Sequence, residues 1–206
     1  MLPDLNLSNQ RGVRARWHQE CPGKAQYALY SRFCFIAAAA GTTLAQLSAR
    51  QAEIDSPYVA TPPRVVEAML DLAGVDGHDT VYDLGCGDGR IVIRAAQKYG
   101  ARGIGIDNNP DRIEEARANA GTAGVSENVN FEVRDLFDTD ISHATVVALY
   151  LLPEVNLRLR PRLLSELRPG TRVVTHSFAM GDWKPDKERV VDGVHVYLWT
   201  IPSSGQ

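Results

Sequence analysis

From residue 60 onward, apolar residues fall into short continuous runs separated by longer stretches of mixed polarity. The runs at 80–84, 103–107, 129–133, 145–150 and 172–175 are four to six residues long, which is strand length rather than helix length. Between them the apolar positions recur at helical spacing. The first such stretch carries Val65, Val66, Met69, Leu70 and Leu72, the second spans 89–99, the third carries Ile113, Ala116, Ala120 and Ala123, and the fourth spans 154–167. Local signals agree: Thr61 as a cap with Pro62 at the first helical position, Gly74 as a stop, Pro110 and Gly124 bracketing the third helix, and Pro169-Gly170 closing the fourth. The run 145–150 is apolar throughout, as expected of a strand covered on both faces. Asp192-Gly193, set between 189–191 and 194–199, predicts a hairpin. Strands alternating with helices and ending in a hairpin predict a parallel α/β sheet with antiparallel strands added last.

The first strand leads into Asp83-Leu84-Gly85-Cys86-Gly87-Asp88-Gly89, with glycine at every second position. Neither the dinucleotide fingerprint nor the phosphate-loop spacing is present. Glycines here predict a tight turn whose N–H groups a ligand can approach closely. A carboxylate two residues before the first glycine suits a ligand carrying an ammonium and would repel a pyrophosphate. In a parallel sheet, ligands sit beyond the C-terminal strand ends, and Asp83, Asp107, Asp135, Tyr150 and His176 all fall there. Asp107 follows the glycines by about twenty residues, the spacing of a ribose-binding acid. Five polar side chains on one edge fit a binding site better than a core, where charge is expensive to bury.

Composition narrows the field. The 206 residues carry a net charge of −3, so no bulk field draws in nucleic acid. Cys21, Cys34 and Cys86 are odd in number and unrelated in spacing, which predicts neither a metal site nor a disulfide framework. Residues 1–55 differ in character and form an N-terminal extension to a domain at 56–206. Their apolar run, residues 33–40, is far shorter than the ~20 residues a membrane-spanning helix needs, so no stable span is expected. Lys24 and Arg32 before it and small residues after it suit an export signal, and a packing helix over 25–52 fits the same residues. The expected compartment is the cytoplasm, or export or membrane association if residues 24–50 act as a signal or anchor.

The segments PYVATP, VYDLGCGDGRIVI, GIGIDNNP, DLF, ALYLLPEVN, LRPGTRVVTHSF and GDWKP run from Pro57 to about Pro202. Together they resemble the class I S-adenosylmethionine (AdoMet) methyltransferases. Within that class they are most similar to the archaeal broad-specificity protein-lysine methyltransferases, and more distantly to the mitochondrial enzymes acting on an ATP-synthase subunit and on the adenine-nucleotide carrier. Ala60 stands where that branch often has proline. The resemblance implies a Rossmann-like class I methyltransferase fold, a mainly parallel seven-stranded sheet with helices on both faces and a C-terminal antiparallel hairpin. It implies AdoMet as cofactor, S-adenosyl-L-homocysteine as product and a protein substrate with an accessible lysine. Asp83, Gly85, Gly87 and Gly89 would hold the methionine moiety, Asp107 with Asn108 the ribose, and Asp135 with Leu136 the adenine. Tyr58 and Thr61 would close over the cofactor.

Tyr150 is the candidate to line the methyl-transfer channel and hold a lysine ammonium on its ring, with Pro153 shaping the wall. His176 or Glu154 would accept a proton through water. Trp183 reads as a loop anchor, and Arg158, Arg160, Arg162 and Arg168 as a solvated helix face. Two other readings stay open: methylation of a small molecule or RNA on the same fold, and a non-catalytic AdoMet-binding interaction domain. Strand four lacks the N/D-P-P-Y tetrapeptide of many nucleic-acid amino methyltransferases, and the intact glycine motif argues against the non-catalytic reading.

Overall fold

The computed structural model describes residues 59–203. The extension at 1–55 and Tyr58 lie outside the described residues. Eleven elements follow one another: α1 (Pro63–Ala73), β1 (Thr80–Leu84), α2 (Arg90–Tyr99), β2 (Arg102–Asp107), α3 (Pro110–Ala123), β3 (Val129–Val133), β4 (Val146–Leu149), α4 (Pro153–Glu166), β5 (Arg172–His176), β6 (Lys187–Val191) and β7 (Val194–Thr200). The strands form one seven-stranded sheet in the order β3-β2-β1-β4-β5-β7-β6. Neighbours from β3 to β5 are parallel, whereas β7 runs antiparallel to both β5 and β6. Strand order reverses between β1 and β4, which makes their C-terminal ends the switch point where ligands bind in such sheets.

Alternation along the central strands divides the core in two. Val81, Val146 and Ala148 face one layer with Val65, Met69, Ile91, Val92 and Ile113 of α1, α2 and α3. Tyr82, Leu84, Val147 and Leu149 face the other with Val155, Leu159 and Leu163 of α4 and with Trp199. Each fully buried aliphatic side chain contributes about 2 kcal/mol of transfer free energy, so the centre of the sheet is its most stable part. The opposite end of the sheet from the switch point is tied by polar contacts. Asp79 accepts from the Thr145 hydroxyl at 2.7 Å, the Asp76 amide at 2.9 Å and the Arg172 guanidinium, which also donates to the carbonyls of Ala73 and Gly74.

Three of the boundaries that differ from the sequence expectation bear on the site. Helix α1 begins at Pro63 with Pro62 as its cap, and no side chain caps it, because the Thr61 hydroxyl is engaged elsewhere. Strand β4 stops at Leu149, which places Tyr150 just past the sheet. Strand β5 extends through His176, whose pairing with Val196 of β7 carries the ladder one residue further.

Candidate active site

The turn after β1 uses its own amides. Gly85 and Cys86 N–H donate to the Ile106 carbonyl at 2.8 and 2.9 Å, Gly87 N–H to Asp107 Oδ2 at 2.9 Å, and Gly89 N–H to the Cys86 carbonyl at 2.9 Å. The expectation that a ligand would meet these N–H groups is therefore corrected: the protein has already satisfied them. Glycine is required for conformation and packing instead. Gly89 has φ 79°, and a Cβ there would lie 2.6 Å from the Phe131 ring. What the turn offers to a ligand is its carboxylates.

Asp83 is 2% exposed, and among the described residues nothing donates a hydrogen bond to its carboxylate. Burial, then the nearby charges of Asp107 and Asp88, push its pKa up to about 8. Asp107 is half-buried at the end of β2. It accepts from Gly87 N–H and, on its other oxygen, from Asn109 N–H at 2.9 Å, so the turn and the ribose-spaced acid are one unit. Asn108 is exposed beside it. Burial and the charges of Asp83 and Asp107 also push the Cys86 thiol upward, which keeps it protonated. A buried carboxyl lacking a partner and a second carboxylate with spare lone pairs form the acceptor set that an ammonium and a vicinal diol require. That chemistry fits AdoMet.

Past β4 and β5 the same sheet edge is aromatic. Tyr150 stacks on His176 with ring centroids 3.7 Å apart and an interplanar angle of 27°, and Phe178 lies 6.5 Å from Tyr150 at 17°. Between His176 and Phe178, Ser177 has φ 65°, and Phe178 N–H donates to the His176 carbonyl at 2.8 Å, closing a three-residue γ-turn. The Thr175 hydroxyl holds the Phe178 carbonyl at 2.7 Å, so neighbouring bonds maintain a strained backbone. His176 Nδ1 is 3.0 Å from the Thr61 hydroxyl, and burial lowers its pKa to about 4, so the ring is neutral at physiological pH. The Thr61 carbonyl accepts from Arg90, which pairs with Asp88 of the glycine turn. The segment before α1 is thus bonded to both sides of the site. Pro153 opens α4 two residues after the buried Leu151, and Glu154 is exposed.

Asp135 is exposed after β3, where its carboxylate accepts from Phe137 N–H at 2.8 Å, and Leu136 is half-buried beside it. The side chains at the C-terminal strand ends therefore share one edge of the sheet, as the topology required.

The family model for the ANTKMT methyltransferase domain matches residues 83–187. A protein-lysine N-methyltransferase of Saccharolobus islandicus (strain REY15A) is 47% identical over 150 residues, covering 70% of this chain and 93% of that protein. The chain belongs to the ANTKMT methyltransferase domain family. An adenine nucleotide translocase lysine N-methyltransferase of Mus musculus is 38% identical over 131 residues; these are 63% of this chain and 56% of that longer protein. Among solved structures, an RNA methyltransferase from Salinibacter ruber in complex with S-adenosyl-L-homocysteine is 57% identical with a TM-score of 0.70, covering 71% of this chain and 95% of that one. The chain is an AdoMet-dependent methyltransferase of class I fold.

In this methyltransferase Arg160 and Arg162 of α4 are part-buried and bonded into the fold, which corrects the expectation of a solvated face for those two of the four, whereas Arg158 is exposed with its guanidinium on an aromatic ring. Arg162 donates to the carbonyls of Leu136, Phe137 and Thr139 and pairs with Glu166. Arg158 lies 4.2 Å over the Phe137 ring, and Arg160 bonds the Met180 carbonyl and Asp182. Arg168 is exposed. Trp183 does anchor its loop: its carbonyl accepts from the Trp199 indole at 2.9 Å. Sequence reasoning passed over Phe178, although its place two residues after His176 was a signal, and over Arg162, whose helical spacing looked like that of any surface residue. It also passed over Asn156, which is fully buried in α4 with neither amide atom hydrogen-bonded. Among the described residues no cluster of His, Cys, Asp or Glu could hold a metal ion, and no helix is long and apolar enough to cross a membrane.

Proposed function

We propose that this enzyme methylates the ε-amine of a lysine in a protein substrate. One observation carries the reading: along the sheet edge from the carboxylates, past β4 and β5, the side chains are aromatic, with Tyr150 stacked on a neutral His176 and Phe178 beside them. AdoMet, when bound, supplies an electrophilic methyl group on a sulfonium. Asp83 takes the ammonium of its methionine end, in the pocket that Gly85, Gly87 and Gly89 shape. Asp107 with Asn108 takes the ribose hydroxyls, Asp135 with Leu136 the adenine, and Thr61, with Tyr58 before it, closes the near side.

A free lysine at neutral pH is deprotonated in only roughly one molecule in 2,500. Aromatic faces attract the incoming ammonium, worth about 0.5–2 kcal/mol, and the desolvation they impose lowers its pKa. A charged imidazolium would repel the incoming ammonium, and burial, which keeps His176 neutral, removes that repulsion. With so low a pKa, His176 orients Tyr150 and Thr61 rather than taking the proton, which passes to water. Pro153 fixes the start of α4 at the channel rim. The cytoplasm stays the expected compartment.

The name of the Salinibacter ruber structure favours a second reading, RNA as acceptor. The net charge of −3 and the engagement of Arg158, Arg160 and Arg162 within the fold weigh against it. The test is incubation with radiolabelled AdoMet and, separately, a lysate, purified RNA and a metabolite extract. Methyl-lysine recovered after acid hydrolysis of labelled protein is the expected result, with Phe178→Ala slowing that transfer about tenfold through the lost cation–π face. Label confined to RNA or metabolites overturns the proposal.

A further inference from the structure

We propose that Arg162 is a positioning residue for the adenine end of the cofactor, and so sets selectivity for an adenine nucleoside from a helix outside the glycine motif. This rests on the reading that Asp135 and Leu136 face the adenine. The segment 134–140 is neither helix nor strand, and its shape comes from a few bonds. Phe137 N–H donates to Asp135 Oδ1 at 2.8 Å, Asp138 N–H to the Asp135 carbonyl at 3.1 Å, and the Thr139 hydroxyl to that same carbonyl at 2.9 Å. These bonds curl the segment, and Arg134 N–H, donating to the Asp107 carbonyl at 2.9 Å, ties its start to β2, but none of them bonds residues 135–139 to the rest of the protein.

That tie is Arg162. Its Nη1 reaches the carbonyls of Leu136, at 3.1 Å, and Phe137, and its Nη2 reaches Thr139 at 2.8 Å. Glu166, one turn further along α4, pairs with Nε and Nη2 at 2.7 Å each, aiming the guanidinium at the segment. The hydrogen bond and charge of Glu166 hold the Arg162 pKa above its ordinary value. One planar fork thus satisfies three carbonyls around a single turn, which a lysine ammonium cannot reproduce while also pairing with Glu166. Arg158, one turn before, covers the Phe137 ring and fixes the same segment from the side. Recognition of the adenine amino group by Asp135 needs its carboxylate in place before the ligand arrives, and the α4 fork supplies that placement.

The experiment compares binding of S-adenosyl-L-homocysteine with binding of the analogue in which hypoxanthine replaces adenine. Its proteins are the wild type, Arg162→Ala, Arg162→Lys, Asp135→Ala and the double variant Arg162→Ala/Asp135→Ala. Wild type is expected to prefer the adenine ligand by about tenfold or more, because hypoxanthine presents a carbonyl in place of the amino donor and an N–H in place of the N1 acceptor. Arg162→Ala is expected to weaken that ligand about tenfold and to shrink the preference to roughly twofold, with Arg162→Lys giving no rescue. KM for AdoMet should rise while KM for the methyl acceptor and kcat at saturation hold. Because both residues act on one contact, the double variant should bind no more weakly than Asp135→Ala. Should Arg162→Ala not fold, Glu166→Gln reads the same preference at smaller amplitude. If Arg162→Ala lowers only the melting temperature and leaves affinity and preference intact, the arginine is a structural brace and the proposal fails. If Asp135→Ala also leaves both intact, the adenine assignment fails with it; loss with Asp135→Ala alone overturns only the role of Arg162.

Discussion

Two buried aspartates four residues apart, one just before β1 and one within it, behave in opposite ways. Asp79, next to the N-terminal end of β1, is 5% exposed; burial pushes its pKa up, but donation from Thr145, the Asp76 amide and Arg172 outweighs that and leaves it below the ordinary carboxylate value. Asp83, near the C-terminal end, is equally buried and lies at about 8, with no described donor and two acidic neighbours. The spacing puts them on the same face and about 13 Å apart. At the end of the sheet that only holds the fold together, the protein completes its own charge pair. At the end where the strand order reverses, it leaves a carboxyl incomplete, and a cationic ligand is what completes it.

Cutting the completed pair should have the larger effect. Asp79→Ala leaves the Arg172 guanidinium without its carboxylate partner and should lower the free energy of unfolding by about 3–5 kcal/mol, read by urea denaturation. The folded fraction should bind S-adenosyl-L-homocysteine within about twofold of wild type, since sites so far apart act independently. A large loss of affinity in that variant would break the contrast between the two ends.

Asp83→Asn should do the reverse. Loss of a charge-assisted contact of about 1.5–3 kcal/mol weakens S-adenosyl-L-homocysteine by roughly 10–100-fold, with little change in the unliganded melting temperature. The sign of its pH dependence follows from the raised pKa. A folded carboxyl at about 8 binds a proton that the unfolded chain releases near 4, so the contribution of Asp83 to stability is complete below about 4 and is lost as pH rises to about 8. A ligand ammonium favours the ionised form. Binding at pH 7 should therefore release about one proton and tighten by up to roughly tenfold per pH unit until pH 8. Calorimetry in buffers of different ionisation enthalpy reads this directly; heats independent of buffer would mean that the ammonium sits elsewhere.

The smallest effect concerns a third buried polar group, satisfied by neither protein nor ligand contact in the described residues. Asn156 keeps a donor and an acceptor unpaired inside α4. Asn156→Leu, close in volume, should raise the free energy of unfolding by about 1 kcal/mol in urea melts. A destabilised variant would show that the amide has a partner after all, and Asn156 would join Asp79 as a completed group.

Much of this was legible in the chain. Short apolar runs, helical spacing and glycine and proline punctuation located every strand and helix to within a few residues, because those signals are local. The pairing of Gly87 N–H with Asp107 was not legible: it joins residues twenty apart in sequence, and no periodicity records which amide a carboxylate will accept from. The arginines of α4 show the same limit from another side. Their spacing describes one helix, whereas their partners are the carbonyls of Leu136, Phe137, Thr139 and Met180 on loops that the helix meets only after folding.

The amino-acid sequence by itself determined the alternation of strands and helices, the antiparallel hairpin that ends it, and the residue types delivered to the C-terminal ends of the strands. Each follows from hydrophobic period and from backbone preferences that act within a few residues. Only the tertiary structure decided which of two buried aspartates is satisfied, that the glycine turn spends its amides on its own fold, and that His176 is neutral. Those are matters of desolvation and of partners brought together across the sheet, and they exist only once the chain has closed around them.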